Sequence, residues 1–157
     1  KLNWTILQPS EVYGAGSDEA LSRLIDWVES FSIVPVIGDG EYLMSPVHIE
    51  DIVSATVNSL VREFEENLTF VLAGPESMTF NQLVDRLSDF KDLRRQRINL
   101  PIPLMNIAIR ILSFLSLGPL TPDQIPRLLF PKPSDITLAQ HHLGYHPRKL
   151  EEGLKNT

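Results

Sequence analysis

The stretch "WTILQPSEVYGAGSDEALSRLIDWV", residues 4–28, decides how this chain is read. An apolar run is followed by Gly14-Ala15-Gly16 and then by an amphipathic pattern, the outline of a nucleotide-binding turn. A dinucleotide fingerprint, Gly-x-Gly-x-x-Gly, follows a strand directly and aims backbone N–H groups and a helix N-terminus at a pyrophosphate. Here the third glycine position holds Glu19, with Asp18 before it. Two carboxylates at the positive end of a helix would occupy and repel the site an anion needs. Gln8 to Tyr13 also stand between the strand and Gly14. The segment reads as a strand, a Pro-fixed turn and a helix. It is not a phosphate cradle.

The 157 residues suit one domain with a buried core, and 43% apolar with 22% charged residues excludes a disordered or fibrous chain. The absence of cysteine removes disulfides, thiolate nucleophiles and cysteine metal sites. No basic stretch followed by an apolar one marks the start, so no signal peptide is read and a cytoplasmic location is expected, with a membrane-peripheral or mitochondrial matrix location as the alternatives. The chain begins with Lys within two residues of a strand-like run, as expected for a piece of something longer. Charge is uneven: residues 1–78 carry 13 acids and 3 bases, residues 79–157 carry 7 acids and 11 bases. The acidic total argues against a nucleic-acid binder, and the basic half can face either an anionic ligand or the acidic half.

Leu2 to Leu7 reads as a buried strand ended by Pro9. A helix is expected from Ser17, its N-cap, with Leu21, Leu24, Ile25 and Val28 on one face. Residues 33–49 read as two short strands around Gly38-Asp39-Gly40, and 49–64 as a helix with Ile49, Ile52, Val53, Val57, Leu60 and Val61 at helical spacing. A strand over 68–76 and a helix over 78–90 follow, with Thr79 as N-cap and Phe80, Leu83, Val84 and Leu87 on its stripe. "RRQRINLPIP" reads as an edge strand, and 103–118 as an apolar helix too short to span a bilayer. That helix is expected in the core, or else resting on a membrane or partner. "TPDQIPRLLF" reads as a short helix, then a Pro-rich connection and a final helix "PRKLEEGLK". Such alternation of strands and helices indicates an α/β architecture.

Two spellings mislead. Tyr145-His-Pro-Arg-Lys149 matches Tyr-x-x-x-Lys, but that chemistry needs both side chains on one face of a continuous helix, and Pro147 interrupts it. His141, His142 and His146 suggest a metal, yet no carboxylate or fourth ligand accompanies them, so they are read as exposed loop residues and no metal site is expected.

Four stretches in order carry a resemblance: "WTILQPSEVYGAG" (4–16), "VPVIGDGEYLMSPVHIEDIVSA" (34–55), "TFVLAGPESMTFNQLVDRL" (69–87) and "LGYHPRKLEEGL" (143–154). Together they resemble the C-terminal half of extended and atypical short-chain dehydrogenases/reductases, the NAD-dependent epimerase/dehydratase superfamily. The atypical group with the nucleotide-binding accessory subunit of respiratory complex I is the nearest in pattern. "PLTPDQIPRLL" (119–129) looks like the same group. The resemblance implies a partial Rossmann-like sheet made of its C-terminal strands, a small mixed α/β substrate-facing region and C-terminal helices. It implies one C-terminal fragment, 1–157, with late Rossmann elements over 1–90 and a substrate-facing, helical region over 91–157.

The resemblance further implies that Pro9, Ser10, Val12 and Tyr13 line the nicotinamide end of NAD or NADP in a full-length parent. A strand's carboxyl end with a Pro-fixed turn suits that role, since it offers rigid backbone groups to a carboxamide. Otherwise Pro9 merely ends a strand and Tyr13 packs in the core. His48, within Pro46-Val-His-Ile-Glu-Asp51, is implied to lie beside the substrate cleft; the alternative is a hydrogen-bonded pair with Asp51 that anchors a helix start. Gln8 stands where this family usually has Arg, which leaves an anionic substrate group without its bidentate partner. Neither the glycine motif nor a helical Tyr-x-x-x-Lys pair is present, so the chain is expected to carry no catalytic residue and to be inactive alone. Its expected partners are a missing N-terminal Rossmann half and an unknown small-molecule substrate. The competing reading is a nucleotide-binding accessory or assembly protein of a respiratory or membrane complex, with helix 103–118 and Arg94, Arg95 and Arg97 serving contact.

Overall fold

A computed structural model describes residues 3–15, 20–62, 64, 66–101, 103, 104, 107, 130 and 132–155. The expected N-cap Ser17 with Asp18 and Glu19, most of the apolar helix 103–118 and most of the short helix 121–130 lie outside the described residues. Two compact units interleave along the chain: Lys1–Ser17, Ser45–Ser77 and Lys132–Thr157 form the first, Asp18–Met44 and Met78–Pro131 the second. Each unit is α/β, and each takes strands from distant parts of the sequence.

In the first unit, β1 (Thr5–Pro9) pairs in parallel with β6 (Leu68–Leu72), and β2 (Val12–Tyr13) in parallel with β5 (Val47–His48). A parallel pair requires a crossover, and α2 (Ile49–Val61) lies within the one that joins β1 to β6. Two short helices, α4 (Thr137–Leu143) and α5 (Leu150–Leu154), complete the unit. Val47, Ala55, Phe70, Leu72, Ala139, Leu143 and Tyr145 form its core. Tyr145 donates from its hydroxyl to the Ala73 carbonyl at 2.9 Å, so even this buried phenol is satisfied.

The second unit contains α1 (Ala20–Ser30), β3 (Ile33–Ile37), β4 (Leu43–Met44), β7 (Met78–Thr79), α3 (Phe80–Phe90) and β8 (Gln96–Leu100). The expected face of α1 is the buried one: Leu21, Leu24, Ile25 and Val28. Thr79 caps α3 in a reciprocal box with Gln82, and Phe80, Leu83, Val84 and Leu87 are buried as the spacing predicts. β3 pairs in parallel with β8, and β4 antiparallel with β7. Two of the basic residues bond within the unit: Arg95 donates to the Val28 and Glu29 carbonyls at the end of α1, and exposed Arg97 pairs with Asp85 at 2.8 Å.

Several expectations are corrected here. Residues 33–49 hold three strands, none paired with its sequence neighbour. His141 and His142 are exposed, as expected, but sit on α4 rather than a loop. The first strand is not buried. Four of the five β1 residues are exposed, Ile6 at 49%, because among the described residues β1 pairs only with β6. The stripe expected to bury α2 is exposed as well: Val53, Val57, Leu60 and Val61 face outward, Leu60 at 80%. Parallel strands normally have both faces covered, and edge strands are normally short or charged. The exposed β1 and the α2 stripe thus leave apolar surface without cover among the described residues.

This surface gives a first prediction. The isolated chain should bind an apolar-surface dye, and Leu60→Lys should reduce that signal while changing stability by less than about 0.5 kcal/mol. Matched dye titrations and urea melts of the two proteins check it. A loss of several kcal/mol would mean Leu60 is packed, contrary to its exposure.

Candidate functional site: the carboxyl end of the first strand

Pro9 closes β1, and the chain turns at Ser10-Glu11 to enter β2. The Ser10 N–H donates to the Leu72 carbonyl at 3.1 Å, and the Val47 N–H to the Glu11 carbonyl at 2.8 Å. The turn is thereby tied to β6 and β5. In open α/β sheets ligands bind beyond the carboxyl ends of the strands, so this turn occupies the position that matters.

The four candidate residues divide in two. Pro9 is exposed and Val12 half-buried, while Ser10 and Tyr13 are buried with committed side chains. The Ser10 hydroxyl donates to Glu11 at 2.6 Å. The Tyr13 hydroxyl donates to the Leu150 carbonyl at 3.3 Å, its ring packs edge-on against His48 at 5.2 Å, and burial pushes its pKa well up. Gly153 leaves the space the Tyr13 hydroxyl fills. Tyr13 therefore holds the turn to α5, and what the turn can offer a ligand is its backbone and the Pro9 and Val12 side chains.

Gly14 answers the question its motif raises. Its φ is +123°, and a Cβ there would stand 2.8 Å from His48 Nε2 and 2.9 Å from Ile49 Cγ2. The glycine exists for close approach to His48 and for a conformation L side chains rarely adopt.

His48 is the N-cap of α2, 3% exposed, its Nδ1 accepting the Glu50 N–H at 3.3 Å. That bond places the ring proton on Nε2, which has no partner among the described residues. Asp51 does not pair with His48. Both its oxygens are taken by Arg148: the backbone N–H at 3.0 Å, Nε at 3.0 Å and a terminal nitrogen at 2.9 Å. Glu50 takes the other terminal nitrogen at 2.8 Å. This clamp joins residues 97 and 98 apart and stands between the Tyr145 and Lys149 of the false Tyr-x-x-x-Lys motif. Residues 144–149 are not helical, so the motif is a spelling only.

Glu11, missed by sequence reasoning, is the other organising side chain. It is 7% exposed, and its carboxylate accepts from the Ser10 hydroxyl at 2.6 Å, the Ser45 N–H at 2.8 Å and Lys132 Nζ at 2.8 Å. Burial would raise its pKa, but Lys132, Ser10 and Ser45 outweigh that and hold it below 4.5. The signal available was only a charged residue directly after a strand-ending Pro-Ser.

His48 is shifted the same way: burial and the Arg148 charge lower its pKa from 6.5, against Glu50 and Asp51, which raise it. Both groups bind fewer protons folded than unfolded, so stability rises with pH. The His48 contribution is complete above pH 6.5 and is lost as pH falls below it; that of Glu11 is lost below pH 4.5. Urea melts across this range should show two successive declines, and His48→Gln should remove the upper one. An unchanged upper decline would contradict the assignment.

Among the described residues no group of His, Asp and Glu could hold a metal, and no helix is long and apolar enough to cross a membrane.

No protein-family model matches the sequence. An uncharacterised protein, y4nG, of Sinorhizobium fredii is 30% identical over 150 residues, which are 94% of this chain and 37% of that one. The mitochondrial NADH dehydrogenase [ubiquinone] 1 alpha subcomplex subunit 9 of Arabidopsis thaliana is 27% identical over 101 residues, 64% of this chain and 25% of that protein. Among solved structures, UDP-glucuronic acid 4-epimerase of Bacillus cereus, in complex with UDP-glucuronic acid and NAD, superposes with a TM-score of 0.69 at 20% identity, over 97% of this chain and 43% of the epimerase. The chain thus spans well under half the length of the proteins it matches almost end to end. It shares the fold of NAD-dependent epimerases and dehydratases of known structure, and its relatives by sequence include a subunit of a mitochondrial NADH dehydrogenase and a 3beta-hydroxysteroid-dehydrogenase/decarboxylase of Arabidopsis thaliana.

Proposed function

We propose that this chain is the C-terminal, substrate-binding part of an NAD(P)-dependent oxidoreductase or epimerase/dehydratase, and that it is inactive alone. One observation carries the reading: a fold that matches almost all of this chain, but less than half of NAD-bound neighbours, leaves the first strand and α2 uncovered. The remaining strands and helices of a Rossmann sheet are the natural cover for a parallel strand edge beside an apolar helix stripe.

The residues present fit one side of a nicotinamide cofactor and no more. Pro9 and Val12 offer exposed or half-exposed surface at a carboxyl strand end, and Ser10 and Tyr13 keep the turn rigid. A pyrophosphate cradle is not among them, because Gly14 is spent on His48. The other half would bring that cradle, and NAD or NADP when bound would supply the hydride chemistry. His48 enters on the substrate side as the buried N-cap that positions the start of α2, its Nε2 held against Gly14.

The test uses a longer polypeptide that contains this chain. Val12→Glu should weaken NADH and NADPH binding by at least about tenfold, a loss of about 1.4 kcal/mol, measured on the folded fraction set by a cofactor-free melt because Val12 also packs against the core. Unchanged affinity would remove the turn from the cofactor site. The likeness to the complex I subunit favours a second reading, an accessory protein that binds nucleotide without catalysis. A longer polypeptide that binds NADH but has no helical Tyr-x-x-x-Lys would support it.

A further inference from the structure

The three donors around Glu11 are the kind that hold an external anion: one ammonium, one hydroxyl and one backbone N–H converging on two oxygens. Ser45 extends the cluster, its hydroxyl 2.7 Å from that of Ser77. All five residues belong to the first unit, and Ser10 and Glu11 directly follow the carboxyl end of β1, where a ligand is expected. The site is nevertheless filled from within. Glu11 is nine-tenths buried, and Lys132, one-third exposed, has its charge answered. Arg148, another cation of this unit, is committed to Asp51 and Glu50. At the strand end itself stands exposed Gln8, which carries no charge.

We propose that Glu11 is a specificity-determining residue: a built-in anion that occupies an anion cradle and so excludes a phosphate or carboxylate group of a ligand from the end of β1. The substrate group received there is uncharged. This rests on the cofactor-linked reading only for the word substrate; the exclusion of anions is a property of the chain as it stands. It also sets this chain apart in expectation from a neighbour whose ligand, UDP-glucuronic acid, is anionic.

Inorganic phosphate and formate, each against a chloride control of equal ionic strength, probe the cradle through the Ser45 backbone amide in a nitrogen–proton correlation spectrum. In the native chain that amide should not respond beyond the chloride control. In Glu11→Ala it should shift saturably with either anion, with at least about tenfold higher affinity than any native response. Adding Lys132→Ala should abolish the shift. Glu11→Gln keeps the shape while freeing the Lys132 charge, and should respond more weakly but above the native chain; it decides the matter if Glu11→Ala does not fold. A saturable native response at Ser45, or folded variants that both ignore the anions, would overturn the proposal. Neither result touches NADH binding, so failure here is distinct from failure of the functional reading.

Discussion

Gly74→Ala is expected to be the most damaging single-methyl change in the described structure, costing about 4 kcal/mol or preventing folding. Gly74 follows the end of β6, and its N–H donates to the Ser45 carbonyl at 3.1 Å. A Cβ there would be driven into the carbonyl oxygen of Pro46. Backbone stands on both sides of this clash, so no rotamer change relieves it. The contrast is Gly38, where a Cβ meets nothing within 4 Å but φ is +61°. Gly38→Ala should cost only the conformational penalty, about 1 kcal/mol. Urea melts of both variants check the pair. Equal losses would show that conformation, and not close approach, governs Gly74.

Arg148→Ala should cost about 2–3 kcal/mol, much more than an ordinary surface ion pair. The guanidinium is 24% exposed and Asp51 12%, so each is partly withdrawn from water, and removing one leaves the other unanswered. Asp51→Ala should cost a similar amount, and the double variant less than the sum, since the two losses share one interaction. Arg148→Lys should recover only part, because an ammonium cannot reach Asp51 and Glu50 in the same fork. The clamp also fixes the segment that carries Leu150, the acceptor for Tyr13. Arg148→Ala is therefore expected to loosen the Pro9–Tyr13 turn, seen as faster hydrogen exchange at Val47, whose N–H bonds the turn. Additive costs and unaltered exchange would reduce the clamp to a surface decoration.

What could be read in advance was what local chemistry encodes. The capping box at Thr79 and the stripe from Phe80 to Leu87 lie within twelve residues of one another, and helix α3 follows from them. The rejection of Gly14-Ala15-Gly16 as a phosphate turn rested on Asp18 and Glu19, and Gly14 is found instead against His48. Non-local facts were hidden. Nothing in residues 33–48 announces that β3, β4 and β5 pair with β8, β7 and β2. Helix α4 has seven residues, too few for a periodic signal; Asp135 accepting the Thr137 N–H and Gly144 in the left-handed conformation bound it, and buried Ala139 and Leu143 hold it. Patterning marks β1 and α2 as apolar, but period alone does not say which apolar surfaces find cover, and Ile6, Val53, Val57, Leu60 and Val61 are exposed. A pair between Asp51 and its near neighbour His48 is one of the two readings the sequence allows, whereas the partner of Asp51 lies 97 residues away. Glu11 went unnoticed because its meaning comes from Ser45 and Lys132, distant in the chain.

The central claim is that the grip on the nucleotide was left in another stretch of polypeptide, so that this one shapes a pocket it cannot fill alone. Titration of NADH into the isolated 157-residue chain, followed by the change in cofactor fluorescence, tests that claim most directly. No saturable binding is predicted, and no rise in melting temperature at the highest cofactor concentration. Tight, saturable binding by the chain alone would contradict it.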